Sequence, residues 1–319
     1  MNKKTIDCGK AGRGTLSVEA DSDFKGKCPR NDNRSYMHIN GKTEIYGLIG
    51  YPVRHTFSPL MHNAAFKTLG INAVYLPFEV RPEDLESVIH CAGALGMRGL
   101  NITVPYKEKV LKYLDEIDRE AALIGAVNTI VIKEGRLKGY NTDGKGFVKS
   151  LQEEFGISPR GKRFLIMGAG GASRAVSFSL ALQGAGRIVL VDEAQDRALD
   201  LAGALTKSTP SDVIAMKKDN KAMKEILLNS DVFINATPCG MKPHDPKVID
   251  PDFLHKNLLV YDIIYNPRTT ALLRDARNKG AKTANGIGML LNQGVLSFSL
   301  WTGKKAPVHV MKKALVGIL

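Results

Sequence analysis

The stretch Phe164 to Arg174, FLIMGAGGASR, limits what this chain can fold into more than any other. An apolar run with the character of a buried strand enters a glycine turn, and the turn opens a helix. A chain holds a dinucleotide pyrophosphate in this way. Gly168 allows the tight turn, and Gly170 lets the backbone approach the phosphates. The helix from Ala172 aims free N–H groups and its positive dipole end at them. Ser173 stands where a third glycine is common and is small enough for helix–strand packing. After the next apolar run, Arg187 to Val191, comes Asp192. A carboxylate there bonds a ribose 2′-hydroxyl and repels a 2′-phosphate, so the pattern predicts NAD(H), with NADP(H) as the alternative. The plain alternative is a βαβ unit that packs tightly and holds no nucleotide.

A length of 319 residues predicts two domains. No apolar run approaches the roughly 18 residues of a membrane span, and the N-terminus lacks the apolar stretch of a secretory signal. Asp7, Glu19, Asp21, Asp23 and Asp32 argue against a transit peptide. Cys8, Cys28, Cys91 and Cys239 form no CxxC pair, and no His/Cys cluster has metal spacing. Free thiols, a cytoplasmic location and no metal are the expectations.

The charge balance, 45 basic against 32 acidic residues, gives +13. Nine Lys/Arg and five Asp/Glu fall in residues 1–42, and the remaining excess is spread along the chain. No helix-turn-helix, stacking motif or zinc finger accompanies it. A diffuse positive field that draws an anionic substrate and cofactor accounts for it better than nucleic-acid binding does. No membrane partner is expected, and a homodimer is left open.

Residues 1–42 are polar and show no hydrophobic period, which reads as a disordered leader. From 43 to 144 the pattern predicts an α/β block. Its strands are expected near 43–49, 73–77 and 99–103, with a strand pair at 126–132 and 136–140. Helices are expected over 59–69, with Ser58 as N-cap candidate, from 81, and over 106–114. A helix over 144–155 leads into a second block, 145–285. There, strands near 163–167, 187–191, 213–216, 231–235, 258–262 and 281–284 alternate with helices, the doubly wound, Rossmann-type pattern. Residues 286–319 form closing helices, the first expected to turn back toward the first block.

Polar clusters follow the apolar strands where ligands bind in such sheets. They are RHTFSPLMHN (54–63), NITVPYK (101–107), AVNT (126–129) and GYNTDG (139–144). Hydroxyls and amides both donate and accept, an inventory that suits a polyhydroxylated substrate. His55 and His62 lie within the first cluster and read as structural.

In this order, ahead of the glycine turn, these clusters resemble the shikimate dehydrogenase family over about residues 44–302. The family reversibly reduces 3-dehydroshikimate with a nicotinamide cofactor, in aromatic amino acid biosynthesis. Some members instead oxidise quinate, often with NAD. The resemblance implies a catalytic dyad at Lys107 and Asp143. A lysine beside the reacting oxygen can donate or accept its proton if burial lowers its pKa, and a carboxylate orients it. Two alternatives remain: Lys107 only binds and orients, or the pair is a surface ion pair at a helix start.

Substrate contacts carry over to Thr56, Ser58, Thr103, Lys107, Asn128, Asp143, Tyr265 and Gln293. Thr56 replaces the first serine of the family's S-x-S pair. Its extra methyl bears on the choice between shikimate and quinate. Thr237, Gly286 and Met289 match positions at the nicotinamide end, to which Tyr265 also belongs, and join Gly168, Gly170, Gly171, Ala172 and Asp192 as cofactor contacts. NADP-using members carry Asn-Arg-Thr after the second strand, where this chain has Asp192, Glu193 and Ala194. Two acids there favour NAD, although Arg197 could swing in and admit NADP. Three readings compete: the biosynthetic reduction, a role with quinate or an aminated analogue, and a non-catalytic ligand or redox sensor on the same fold.

Overall fold

The first half of the chain alternates strands whose two faces are both apolar with helices that cover them. In the computed structural model, which describes residues 39–317, this half builds β1 (Glu44–Gly50), α1 (Ser58–Thr68), β2 (Ala73–Glu79), α2 (Leu85–Ala94) and β3 (Met97–Ile102). The short β4 (Glu116–Ile117), α3 (Arg119–Ile124), β5 (Thr129–Lys133) and β6 (Arg136–Tyr140) follow. The six strands form one mixed sheet in the order β2-β1-β3-β5-β6-β4. β1 pairs in parallel with β2 and β3, whereas β3–β5 and β5–β6 are antiparallel.

α4 (Asp143–Phe155) leads to the second sheet. Its strands and helices are β7 (Arg163–Met167), α5 (Gly171–Leu182), β8 (Arg187–Val191), α6 (Gln195–Ser208), β9 (Asp212–Met216), α7 (Asn220–Leu228), β10 (Val232–Asn235), β11 (Leu259–Asp262), α8 (Ala271–Asn278) and β12 (Lys282–Ala284). The order β12-β11-β10-β7-β8-β9 is parallel throughout. It is the doubly wound arrangement, and the strand order reverses between β7 and β10, where such sheets bind ligands at their carboxyl ends.

Side-chain alternation along these strands feeds two cores. Phe164, Ile166, Ile188, Leu190, Val232 and Ile234 face α4, α5 and α6. Leu165, Met167, Val189, Val191 and Phe233 face α7 and α8.

α9 (Ile287–Thr302) and α10 (Val308–Val316) close the described chain. Phe298 and Trp301 of α9 pack with Tyr46, Phe66 and Tyr75 of the first sheet's core, and Trp301 Nε1 donates to Ile130 O at 2.9 Å. α9 also lies along α4 at very short range. A Cβ on Gly146 would sit 2.6 Å from Gln293 N, so only glycine lets the helices approach this closely. That approach brings Gln293 to the first sheet.

Several expectations need correction. Ser58 does not cap α1; the helix begins at Ser58 and its N-cap is Phe57. The helix expected over 106–114 is a 3₁₀ turn, Lys109–Tyr113. β5 starts at Thr129 rather than 126. β4 and α3 went unforeseen. Of the expected leader only 39–42 is described; Cys8 and Cys28 lie outside the described residues, and Cys91 and Cys239 are free.

Candidate active site

The chain leaving β3 turns at once: Tyr106 N donates to Thr103 O, and Val127 N donates to Lys107 O at 2.8 Å. The turn brings Lys107 to the sheet end where Asp143 opens α4. Lys107 Nζ donates to Asp143 Oδ2 at 2.6 Å, with the side chains 13% and 7% exposed. Little water reaches the pair, so its attraction is only weakly screened.

Asn128 fixes the other side of the carboxylate. Its Nδ2 donates to Asp143 Oδ1 at 2.9 Å and to Thr142 Oγ1 at 2.9 Å, and reaches Gln293 Oε1 at 3.4 Å. Its Oδ1 accepts from Thr142 N at 2.8 Å. Four expected contacts, Lys107, Asn128, Asp143 and Gln293, therefore meet at one point. Thr103, half-buried, lies between β3 and the Lys107 turn.

A second polar corner forms at the start of α1. The hydroxyls of Thr56 and Ser58 are 3.3 Å apart, and Ser58 N donates to Thr56 Oγ1 at 3.2 Å. Tyr265, from the segment after β11, meets this corner from the second sheet. Its ring is 5.4 Å from that of Phe57, and its hydroxyl faces Thr56. Burial pushes the Tyr265 phenol above its ordinary pKa, so it stays a neutral donor. His55 is exposed, whereas His62 is fully buried on Tyr75.

The opposite wall is the end of β7. Gly168 has φ +100°, the left-handed region that a side chain resists, and its N–H donates to Val191 O. No side chain caps the N-terminus of α5 at Gly170, so its first N–H groups remain free for an anion. This arrangement fits a dinucleotide pyrophosphate. Asp192 Oδ2 accepts from Ala169 N at 2.6 Å and Oδ1 from Ala194 N at 2.9 Å. Each oxygen keeps a lone pair for a ribose hydroxyl. Glu193 and Arg197 are exposed beside it, and a Cβ on Gly170 would lie 3.3 Å from Arg197 Nη2.

Farther along this edge, Thr237 donates from N and Oγ1 to Asn235 Oδ1 at 3.1 and 2.7 Å. Gly286 caps α9, and its N–H donates to Ile264 O at 3.1 Å. Met289 is almost wholly buried among the core residues around Tyr261. The two walls touch: a Cβ on Gly171 would sit 3.3 Å from Lys107 Cβ. The glycine turn thus rests on the stem of the lysine.

Comparison with known proteins settles the family. Residues 48–130 match the family described as the shikimate dehydrogenase substrate binding domain, and 286–316 match the shikimate 5'-dehydrogenase C-terminal domain. A protein of Methanopyrus kandleri named shikimate dehydrogenase (NADP(+)) is 47% identical over 282 residues, covering 88% of this chain and 97% of that one. This chain belongs to the shikimate dehydrogenase family.

Two solved structures of the family's fold agree. Shikimate 5-dehydrogenase from Listeria monocytogenes, in complex with shikimate and NAD, is 38% identical with a TM-score of 0.80, covering 87% of this chain and 98% of that one. Quinate dehydrogenase from Corynebacterium glutamicum, in complex with NAD, is 32% identical with a TM-score of 0.79, covering 86% and 99%. The chain is an oxidoreductase of this family and uses a nicotinamide dinucleotide. The NADP(+) in the Methanopyrus protein's name gives no support to the expected preference for NAD.

Sequence reasoning missed the polar layer behind the Lys107–Asp143 pair. Asn101 Nδ2 donates to Asn128 O at 3.0 Å, Thr129 Oγ1 at 3.1 Å and Ser297 Oγ at 3.2 Å, while its Oδ1 accepts from the Tyr75 hydroxyl at 2.8 Å. Asn101, Thr129 and Thr142 lay within the motifs already singled out. For Ser297 the only signal was its place one helical turn after Gln293. Among the described residues no group of three or more His, Cys, Asp or Glu is placed to hold a metal, and no helix is long and apolar enough to cross a membrane.

Proposed function

We propose that this protein reduces the ring ketone of 3-dehydroshikimate to shikimate, reversibly, as a step of aromatic amino acid biosynthesis. The observation that carries this reading is the shielded Lys107–Asp143 pair, 2.6 Å apart, against the glycine turn. The dinucleotide supplies the hydride when bound between Gly168–Ala172 and the Thr237, Gly286 and Met289 edge. Lys107 gives its proton to the carbonyl oxygen during reduction and takes it back during oxidation. Asp143 holds the ammonium toward that oxygen, and Asn128 holds Asp143. Thr56, Ser58 and Tyr265 supply hydroxyl donors for the substrate carboxylate, while Thr103 and Gln293 border the ring. Placement and electrostatics are the protein's share of the chemistry.

The cofactor preference we propose is NAD. Asp192 has oxygens free for a ribose, and Glu193 stands where a 2′-phosphate would need a cation. Arg197 is the residue that would admit NADP. The second reading, quinate with NAD, is favoured by the same two acids. We also propose a cytoplasmic, metal-free enzyme with small-molecule ligands.

The test is a steady-state assay that crosses shikimate and quinate with NAD and NADP. Shikimate turnover with NAD supports both parts. Preference for NADP overturns the cofactor reading, and quinate turnover equal to that of shikimate shifts the substrate reading. No turnover in any combination leaves a sensor.

A further inference from the structure

Asp262 ends β11 and is 0% exposed. Its carboxylate accepts from Thr270 Oγ1 at 2.6 Å, Asn235 Nδ2 at 3.0 Å and Ile264 N at 3.1 Å. Among the described residues no Lys, Arg or His pairs with it. A buried carboxylate without a counter-cation is expensive, so an apolar residue would serve packing better. What the carboxylate provides is two oxygens that gather three donors, one from the end of β10 and two from the loop between β11 and α8.

Each of those three donors leads to the site. Asn235 passes the constraint to Thr237, whose N and Oγ1 donate to Asn235 Oδ1, and its Nδ2 also donates to Cys239 O at 3.1 Å. Ile264 is the neighbour of Tyr265, and its carbonyl accepts from Gly286 N. Thr270 caps α8, its Oγ1 accepting from Leu273 N, and closes the loop that carries Tyr265. One carboxylate therefore ties the Thr237 loop on the cofactor side to the Tyr265 loop on the substrate side.

We infer that Asp262 is a positioning residue of the reaction: it fixes the spacing between the Thr237 and Tyr265 loops, and with it the placement of the nicotinamide end against the substrate. The inference rests on the proposed function for what meets there, but its geometry concerns the second sheet alone. An alanine at 262 leaves all three donors unanswered. Thr270→Val removes the shortest bond and leaves the carboxylate in place, and Thr270→Ser restores the hydroxyl.

The experiment uses the full chain and measures kcat and both KM values. It also compares affinity for the reduced dinucleotide with affinity for ADP-ribose, which reaches the glycine turn but has no nicotinamide. Asp262→Ala and Thr270→Val should lower kcat on the order of tenfold to a hundredfold, because a shift of about 1 Å is costly in a reacting pair. The reduced dinucleotide should bind more weakly while ADP-ribose stays within about twofold, and Thr270→Ser should recover most of the loss. Unchanged kcat and KM in folded variants would overturn the inference. So would parallel loss of both ligands, which marks a general loosening of the sheet. If Asp262→Ala fails to fold, the Thr270 pair decides. If the unaltered chain turns over neither shikimate nor quinate, the proposed function fails, and the comparison of the two ligands still decides this inference.

Discussion

The Lys107 ammonium bonds Asp143 across 2.6 Å, while its aliphatic stem lies against Gly171 of the glycine turn. The group proposed to handle the proton is thus held by Asp143 at its charged end and touched by the glycine turn along its stem. Lys107→Ala should lower kcat by about 10²- to 10⁴-fold, the range of a lost general acid–base group, with dinucleotide affinity little changed. Steady-state rates with a fluorescence titration of the reduced cofactor check this. Turnover close to that of the unaltered chain would make Lys107 an orienting group only.

The ribose end gives a second prediction. Asp192→Asn with Glu193→Arg removes two negative charges and adds a planar cation suited to a phosphate. The ratio of kcat/KM for NADP over NAD should rise tenfold or more, since a charge-assisted bond contributes about 1.5–3 kcal/mol. Arg197→Ala alone should lower any residual NADP use. An unchanged ratio would show that the 2′-position lies away from both acids.

These residues also show what the sequence could and could not reveal. β7 and β8 lie where they were expected, because buried parallel strands read as continuous apolar runs. The glycine turn was legible for the same reason: a long apolar strand announces where the turn must come. β4 has two residues and α3 six, too short for either to show a period. α3 is specified by a cap, Asp118 accepting from Glu120 N. β5 starts late because residues 126 and 127 bond outside the sheet: Ala126 N donates to Ala121 O and Val127 N to Lys107 O. At α1 the N-cap position falls on Phe57 with no side-chain cap bond, and Ser58, whose N–H donates to Thr56 Oγ1, becomes the first helical residue. Asp262 carried no sequence signal and Ser297 only its place one turn after Gln293, because their roles exist only between elements distant in the chain.

Thr56 tests the substrate choice. Its hydroxyl is 3.3 Å from that of Ser58, in the corner proposed to take the substrate carboxylate, where a methyl group adds bulk. Quinate has a hydroxyl on the carbon that bears the carboxylate and needs that space. Thr56→Ser should raise kcat/KM for quinate relative to shikimate by about 1–3 kcal/mol, the worth of one methyl group. A competition assay with both substrates measures the ratio directly. A fall in the ratio would mean that the methyl group helps quinate to bind.

His62 bears on the acid stability. It is fully buried, stacked 4.5 Å from Tyr75 and packed near Trp301, and neither ring nitrogen has a partner among the described residues. Burial pushes its pKa from 6.5 down to about 3. The unfolded chain therefore takes up this proton as pH falls through about 6.5, whereas the folded chain holds it off until about 3. The stability tied to the neutral ring is complete above 6.5 and is lost steadily as pH falls toward 3, by about 1.4 kcal/mol per pH unit. Asp262 works in the opposite sense. Burial raises its pKa to about 6, so the folded chain binds that proton first, and its unfavourable charge is relieved as pH falls from about 6 toward 4. The two partly offset each other over that interval, and His62 acts alone between about 4 and 3. His62→Phe keeps an aromatic ring in the cluster and removes the proton site, so its stability should fall less between pH 7 and 4 than that of the unaltered chain. Asp262→Asn should steepen the same fall. Urea unfolding at pH 7, 5.5 and 4 measures all three slopes. Parallel slopes for His62→Phe and the unaltered chain would mean that the ring is protonated in the folded state.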